Sequence, residues 1–305
     1  MWWHRCLLVW GFLLFMCQVQ AVPYVLVLGT AQDGGYPHMG CQKEGCQKAW
    51  ANDSLRRYVV SLALVDSASK KWWLFEATPD IKYQLQLFRT LTQGKYDYLP
   101  AGIFITHAHI GHYTGLMQFG REVMGTHNLP VYVLPRMRLF LETNGPWGQL
   151  VYLNNIELHT LRTDTALALA PGISIETFLV PHRDEYSETA GFRIITSGKK
   201  YLFIPDINKW EKWDKSIVEE VRKVDFAFLD ATFYTADELP NRKISEVPHP
   251  LVTETMGLFK NEPTLVRQKI YFIHFNHTNP VLWDGVLRSD TRKAGFNLAE
   301  QGARY

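Results

Sequence analysis

Short runs of apolar, β-branched and aromatic residues recur along the chain, each six to eight residues long. The first half carries "YVLVLG" from Tyr24, "VVSLALV" from Val59, "WWLFEA" from Trp72, "AGIFIT" from Ala101 and "LPVYVL" from Leu129. The second half carries "ISIETFLV" from Ile173, "GFRIIT" from Gly191, "KYLFIP" from Lys200, "DFAFLDA" from Asp225 and "KIYFIHF" from Lys269. Each reads as a strand, about ten in all. Between them lie helical periods. Ile81, Leu85, Phe88 and Leu91 follow Pro79-Asp80 at spacings of four and three, and Ile217, Val218, Val221 and Val224 follow Asp214.

The fold class is therefore mixed α/β. Strands that are apolar throughout, rather than alternating, need cover on both faces, which predicts sheets sandwiched between helical layers. There is no short internal repeat and no low-complexity tract, so residues 22–305 are expected to form a single domain. The first 21 residues read differently. Arg5 precedes an apolar run from Cys6 to Cys17, and Val19-Gln20-Ala21 offers the small residues a signal peptidase needs. The run is shorter than the roughly 20 residues that span a bilayer, so a cleaved signal peptide is expected over 1–21, with a periplasmic or secreted product. A membrane anchor or a lipoprotein signal ending at Cys17 is the alternative.

The chain has 305 residues, 47% of them apolar and 20% charged. Loss of residues 1–21 takes only Arg5 from the charge balance, leaving 31 basic against 30 acidic residues. Neither that balance nor any run of like charges makes a nucleic-acid patch, so a small-molecule substrate is expected. No membrane span is expected once the signal is removed.

Of the ten histidines beyond residue 21, eight fall at strand ends or beside turn residues: His38, His107, His109, His112, His182, His249, His274 and His277. His107 and His109 are two apart just beyond a strand, and His112 sits where a helix would begin. His182 in "VPHRDE" and Asp206 in "LFIPDINKW" end two further strands. Three imidazoles and a carboxylate suit Zn²⁺, and also Mn²⁺ or Fe²⁺. A single histidine in such a place is more often a satisfied surface or core residue; the joint pattern is what points to a metal.

The order of "HAHIGH", "VPH", "IPD" and "IHF" resembles the metallo-β-lactamase superfamily, whose pattern is His-x-His-x-Asp-His followed by single His, Asp and His residues. Within it, "LGTAQDGGYP", "ATPDIKYQLQLF", "LDATFYTADEL" and "IHFNHTNPVL" are similar to segments of the PQQ-biosynthesis protein B family. The resemblance implies a four-layer αβ/βα sandwich with a site at one edge between the sheets. It implies a first metal on His107, His109, His182 and Asp206, and a second on His112, His274 and a shared Asp206. Glu76 matches an acidic position beside the site that usually supports rather than ligates. Gly111 stands where the pattern carries its aspartate, which implies one tight ion and a second weakly held or absent. The PQQ branch often keeps the Asp-His end and replaces the first two histidines, the reverse of this chain.

Two further groups have similar parallels. "FLDATFYTADEL" and "EVPHPLVTETMG" resemble the branch that includes tRNase Z, which implies that Asp230 orients His249 to protonate a leaving group. The plain alternative is a capping His249 and an Asp230 that closes a strand. "HMGCQKEGC" with "HFNH" resembles a structural zinc site of phosphonate-pathway phosphodiesterases, which implies a zinc on His38, Cys41, Cys46 and His277. The alternative is a Cys41–Cys46 disulfide, favoured in an oxidising compartment.

These readings lead to an exported metal-dependent hydrolase, with a phosphoester as the expected substrate class, metal-activated water, and His249 with Asp230 as the proton donor pair. Two alternatives remain: a PQQ-protein-like oxidative enzyme using iron and oxygen, and a non-catalytic metal-binding protein in which Gly111 marks a decayed site.

Overall fold

The computed structural model describes residues 22–239, 243 and 247–305, so the expected signal peptide lies outside the described residues. Six strands build one sheet in the order β1 (Tyr24–Gly29), β2 (Ser61–Asp66), β3 (Lys71–Phe75), β4 (Ile103–Phe104), β5 (Leu129–Val133) and β6 (Ile156–Thr160). Seven build the other: β7 (Ala166–Ala170), β8 (Ile173–Leu179), β9 (Ala190–Ile195), β10 (Lys200–Ile204), β11 (Phe226–Asp230), β12 (Ile270–Ile273) and β13 (Asn297–Leu298), each beside its neighbour in sequence.

Strands β1, β2, β10 and β11 are buried on both faces, as the uninterrupted apolar runs predict. In β1, Val25 and Val27 enter the layer between the sheets, where they meet Phe75, Phe104, Phe192, Phe203 and Phe228. Leu26 and Leu28 point the other way, onto Ile81, Leu85 and Phe88. Those three line the buried face of the helix Ile81–Leu91, which bears out its spacing. Leu202, Ile204 and Leu229 leave the second sheet outward, onto Ile217 and Val221 of the helix Ile217–Arg222. Ser216 caps that helix by accepting from the Glu219 amide, and Glu219 and Glu220 complement its N-terminal dipole. Three apolar interfaces thus hold four layers, helix on sheet on sheet on helix. Trp72 and Trp73 are both core residues.

Strand direction decides where chemistry can gather. β1 and β3 are each antiparallel to β2, and β4 is parallel to β3, so β1, β3 and β4 point the same way. In the second sheet β8 and β10 are each antiparallel to β9, and β11 and β12 are parallel to β10. Within each sheet these strands therefore end at one edge. The two edges are stitched together by Ala31, which bridges to both Val59 and Phe275, and by the Ala190 amide, which donates to the Thr106 carbonyl at 3.0 Å.

Three strands were not expected. β6 is a short alternation of buried Ile156 and Leu158 with outward Glu157. β7 is "ALALA", an alanine-rich and largely solvent-facing edge strand with weak strand propensity. β13 is two residues long and is defined only by its pairing with β12.

Candidate metal centre

The loop after β4 carries His107 and His109, and β8, β10, β11 and β12 lead to His182, Asp206, Asp230 and His274. The Ala108 amide donates to Ser187 Oγ at 2.9 Å, tying the histidine loop to the loop that bears His182. His107 Nε2 lies 2.8 Å from His109 Nδ1, and His182 Nε2 lies 3.1 Å from the same atom. Asp206 Oδ2 is 3.2 Å from His182 Nε2 and 3.5 Å from His107 Nε2. Ligand bonds of about 2.0–2.2 Å put tetrahedral donors about 3.3–3.6 Å apart, so this quartet has close to the spacing one ion requires.

The far sides of the His107 and His109 rings are held, whereas the buried His182 Nδ1 has no hydrogen-bond partner. His107 Nδ1 is hydrogen-bonded with Thr106 Oγ1 at 2.9 Å, and His109 Nε2–H donates to Glu185 Oε2 at 3.1 Å. Such partners fix the tautomer that leaves a lone pair facing inward. Glu185 was not singled out in the sequence. Burial would raise the Asp206 pKa, yet His182 and His249 outweigh it and hold the carboxyl well below its ordinary range.

Beside this quartet lies a second group: Asp33, His112 and His274, with donor atoms all within 4.8 Å of one another. Asp206 Oδ2 is 3.8 Å from His112 Nε2, so one oxygen faces both groups. Glu76 Oε1, fully buried at the end of β3, lies 3.2 Å from His112 Nδ1, and its Oε2 accepts from the Thr106 amide. His274 Nδ1–H donates to Thr232 Oγ1 at 2.9 Å, whose hydroxyl donates to Asp230 Oδ1 at 2.7 Å. Burial alone would lower the His112 pKa, but Glu76 and Asp33 raise it well above the ordinary imidazole range. The field at this spot therefore favours positive charge.

Gly111 brings no carboxylate to the second group, but the Asp33 carboxylate stands beside His112 and His274. A Cβ at Gly111 would stand 2.2 Å from Asp33 Oδ1 and 2.6 Å from Asp33 Cα. The loop after β1 occupies the space a side chain at 111 would need, and it brings its own carboxylate. Asp33 lies inside the quoted "LGTAQDGGYP" but was not read as a site residue. Asp184, the other acid near His182, hydrogen-bonds instead with Thr189.

His249 and Asp230 are paired as expected. His249 Nδ1–H donates to Asp230 Oδ2 at 2.9 Å and also lies 3.1 Å from Asp206 Oδ1. Although Asp206, Asp230, His249 and His274 also cluster, Asp230 has no oxygen to spare. Its Oδ1 accepts from the Thr232 amide and hydroxyl, and its Oδ2 accepts from the Ile207 amide and His249. This group is a hydrogen-bond network around His249. Burial opposes charge on His249, but Asp230 and Asp206 outweigh it and hold its pKa up to about 10.

The four residues expected to hold a structural zinc share one corner, with the Cys46 thiol against Cys41. His38 stacks on His277 with ring centroids 4.2 Å apart, and His38 Nδ1 is 2.9 Å from the Met39 carbonyl. Zinc with sulfur ligands at about 2.3 Å needs donors within about 3.8 Å of each other. Among the described residues, the groups with donors within 4.8 Å do not include this quartet. Both thiols are free, and burial followed by the Cys41 thiol pushes Cys46 up to about 11.

The family profile described as a beta-lactamase superfamily domain matches residues 71–275, about two thirds of the chain. The chain belongs to the β-lactamase superfamily. The expected four-layer sandwich is the fold observed, and the similarity to PQQ proteins extends over most of the length. The coenzyme PQQ synthesis protein B of Methylococcus capsulatus (strain ATCC 33009 / NCIMB 11132 / Bath) is 27% identical over 303 residues, covering 91% of this chain and 98% of that protein. Among solved structures, Zn²⁺-bound PqqB from Methylobacterium extorquens superposes with a TM-score of 0.76 at 21% identity, covering 92% of this chain and 99% of that one. A diphosphatase from the PhnP family superposes with a TM-score of 0.65 at 22% identity, covering 93% and 97%.

Glu76 gives the first expected result. Glu76→Gln keeps the shape but removes the charge behind His112, and is expected to weaken metal affinity by about 10–100-fold, as outer-shell changes do. Chelator competition reads this directly, and unchanged affinity would remove Glu76 from the support of the centre.

Proposed function

We propose that the chain is an exported metal-dependent hydrolase acting on phosphoesters, most directly phosphodiesters. The observation that carries this reading is the position of His249: on the Asp230 carboxylate, 3.1 Å from Asp206, with its ring centroid 5.7 Å from that of His182. A site that only stored a metal would have no use for a buried, protonated imidazole at that place.

His107, His109, His182 and Asp206 would hold one divalent ion, and His112 and His274 would hold a second that shares Asp206. When bound, such ions supply Lewis acidity toward phosphoryl oxygens and lower the pKa of water. Zn²⁺ suits the donors well, with Mn²⁺ and Fe²⁺ next. The remaining chemistry belongs to the chain. His249 spends Nδ1–H on carboxylates, so its Nε2–H is the proton it can give to a departing alkoxide. Asp230 keeps that ring oriented and charged, and Thr232 links Asp230 to His274, so the proton donor and the metal ligands share one framework.

A second reading, oxidative chemistry with iron and oxygen, is favoured by the coenzyme PQQ synthesis protein B sequences, which align over most of the chain. Metal-loaded protein assayed in parallel for phosphodiester cleavage and oxygen uptake separates the two. Cleavage without oxygen uptake is expected. Oxygen uptake by the iron form without cleavage would replace this reading with the second, and bound metal with neither activity would favour a binding protein.

Export rests on the sequence of residues 1–21 alone. Among the described residues, no helix is long and apolar enough to cross a membrane. Intact mass of the protein recovered outside the cytoplasm is expected to fit a chain starting at Val22. Retention of Met1 in a cytoplasmic product would contradict it.

A further inference from the structure

We propose that Asp33 is a direct ligand of the second ion, supplied by the loop after β1 in place of the motif aspartate that Gly111 cannot be. The inference rests on the metal reading above and concerns which residue completes the site.

Three buried atoms lack hydrogen-bond partners at this spot: Asp33 Oδ1, His112 Nε2 and His274 Nε2. They are the inward-facing atoms of the group whose donors lie within 4.8 Å of one another. His112 and His274 are fully buried; Glu76 Oε1 lies 3.2 Å from His112 Nδ1, and Thr232 Oγ1 is hydrogen-bonded with His274 Nδ1. Leaving a carboxylate oxygen and two imidazole nitrogens buried and unpaired is costly, and a cation among them removes that cost at once. Asp33 Oδ1 is 3.5 Å from His112 Nε2, which is a ligand-to-ligand separation around one ion.

The loop is built to hold Asp33 there. The Gln32 amide donates to the Phe275 carbonyl at 2.9 Å, and the Phe275 amide donates to the Thr30 carbonyl at 2.9 Å. Asn276 Nδ2 donates to Gln32 Oε1. Residues 30–32 are thereby laced to the residues directly after His274, so Asp33 and His274 are placed by the same backbone contacts. Gly111 completes the argument. Because the backbone of Asp33 itself lies 2.6 Å from where a Cβ at 111 would sit, a carboxylate at 33 and any side chain at 111 exclude each other. The carboxylate then comes from the loop after β1, at the same sheet edge as the histidine motif.

The test is the number and affinity of Zn²⁺ ions bound by the full chain, from elemental analysis after dialysis and from chelator competition. Asp33→Ala and the nearly isosteric Asp33→Asn are compared with the unaltered protein, and circular dichroism checks the fold. The unaltered chain is expected to bind two ions. Both variants are expected to keep the first at its original affinity and to weaken the second by more than about 100-fold, beyond the range of outer-shell changes. Gly111→Ala, which pushes Asp33 away, should also weaken the second ion alone. Two ions held at unchanged affinity by Asp33→Asn and Asp33→Ala would overturn the inference. So would a single ion in the unaltered chain that neither variant affects, and that result would leave the metal reading standing. No ion bound by the unaltered chain would overturn both.

Discussion

Replacing His249 by alanine is expected to lower turnover of a phosphodiester by roughly 10²–10⁴-fold, the usual contribution of a positioned general acid. Metal content should stay unchanged, because His249 is outside both donor groups that face inward. The loss should depend on the leaving group: large for an alkoxide, which needs a proton as it departs, and small for a nitrophenolate, which does not. That contrast separates a proton donor from a residue that merely packs. The plain alternative, a capping histidine beside Pro250, predicts equal loss for both substrates. Asp230→Asn should follow the same pattern more weakly, since it keeps the partner's place but removes the charge that raises the imidazole pKa to about 10.

Asp206 should give the larger effect on the metal itself. Its Oδ2 is within 3.8 Å of ring nitrogens in both groups, so Asp206→Ala takes a donor from each. Metal content is expected to fall by at least one ion per chain, and turnover by about 10³-fold or more. The variant also leaves several buried imidazoles without their counter-charge, and breaking such a buried pair costs about 3–5 kcal/mol. Asp206→Asn keeps the volume and should lose the metal with less damage to the fold. Elemental analysis beside a denaturant melt distinguishes the two effects, and full metal content in Asp206→Asn would remove Asp206 from the ligand set.

The sheets were legible wherever both faces are buried, because such strands cannot alternate and so stand out as apolar runs. β6 and β7 escaped for the opposite reason: one alternates over five residues, and the other is an alanine-rich edge whose existence depends on β8 beside it. The site was legible to the same degree. His107, His182, Asp206 and His274 each follow an apolar run, and the strand directions bring those ends to one rim. Asp33 was missed because an acid in a "QDGG" loop reads as a turn former, a role that needs no partner elsewhere in the chain. The signal was nevertheless present. Asp33 follows a strand parallel to the one that ends at Glu76, and the motif lacked one carboxylate. In the cysteine loop the Cys46 thiol contacts Cys41, while His38 stacks on His277, an arrangement the spacing alone does not specify.

The most direct measurement is phosphodiester turnover by the full chain as a function of bound Zn²⁺ or Mn²⁺ per molecule, taken through chelation and reloading with elemental analysis at each step. Turnover that vanishes on chelation and returns in proportion to restored metal is the predicted result. A chain loaded with one or two ions that cleaves no phosphodiester, or cleavage indifferent to chelation, would contradict it.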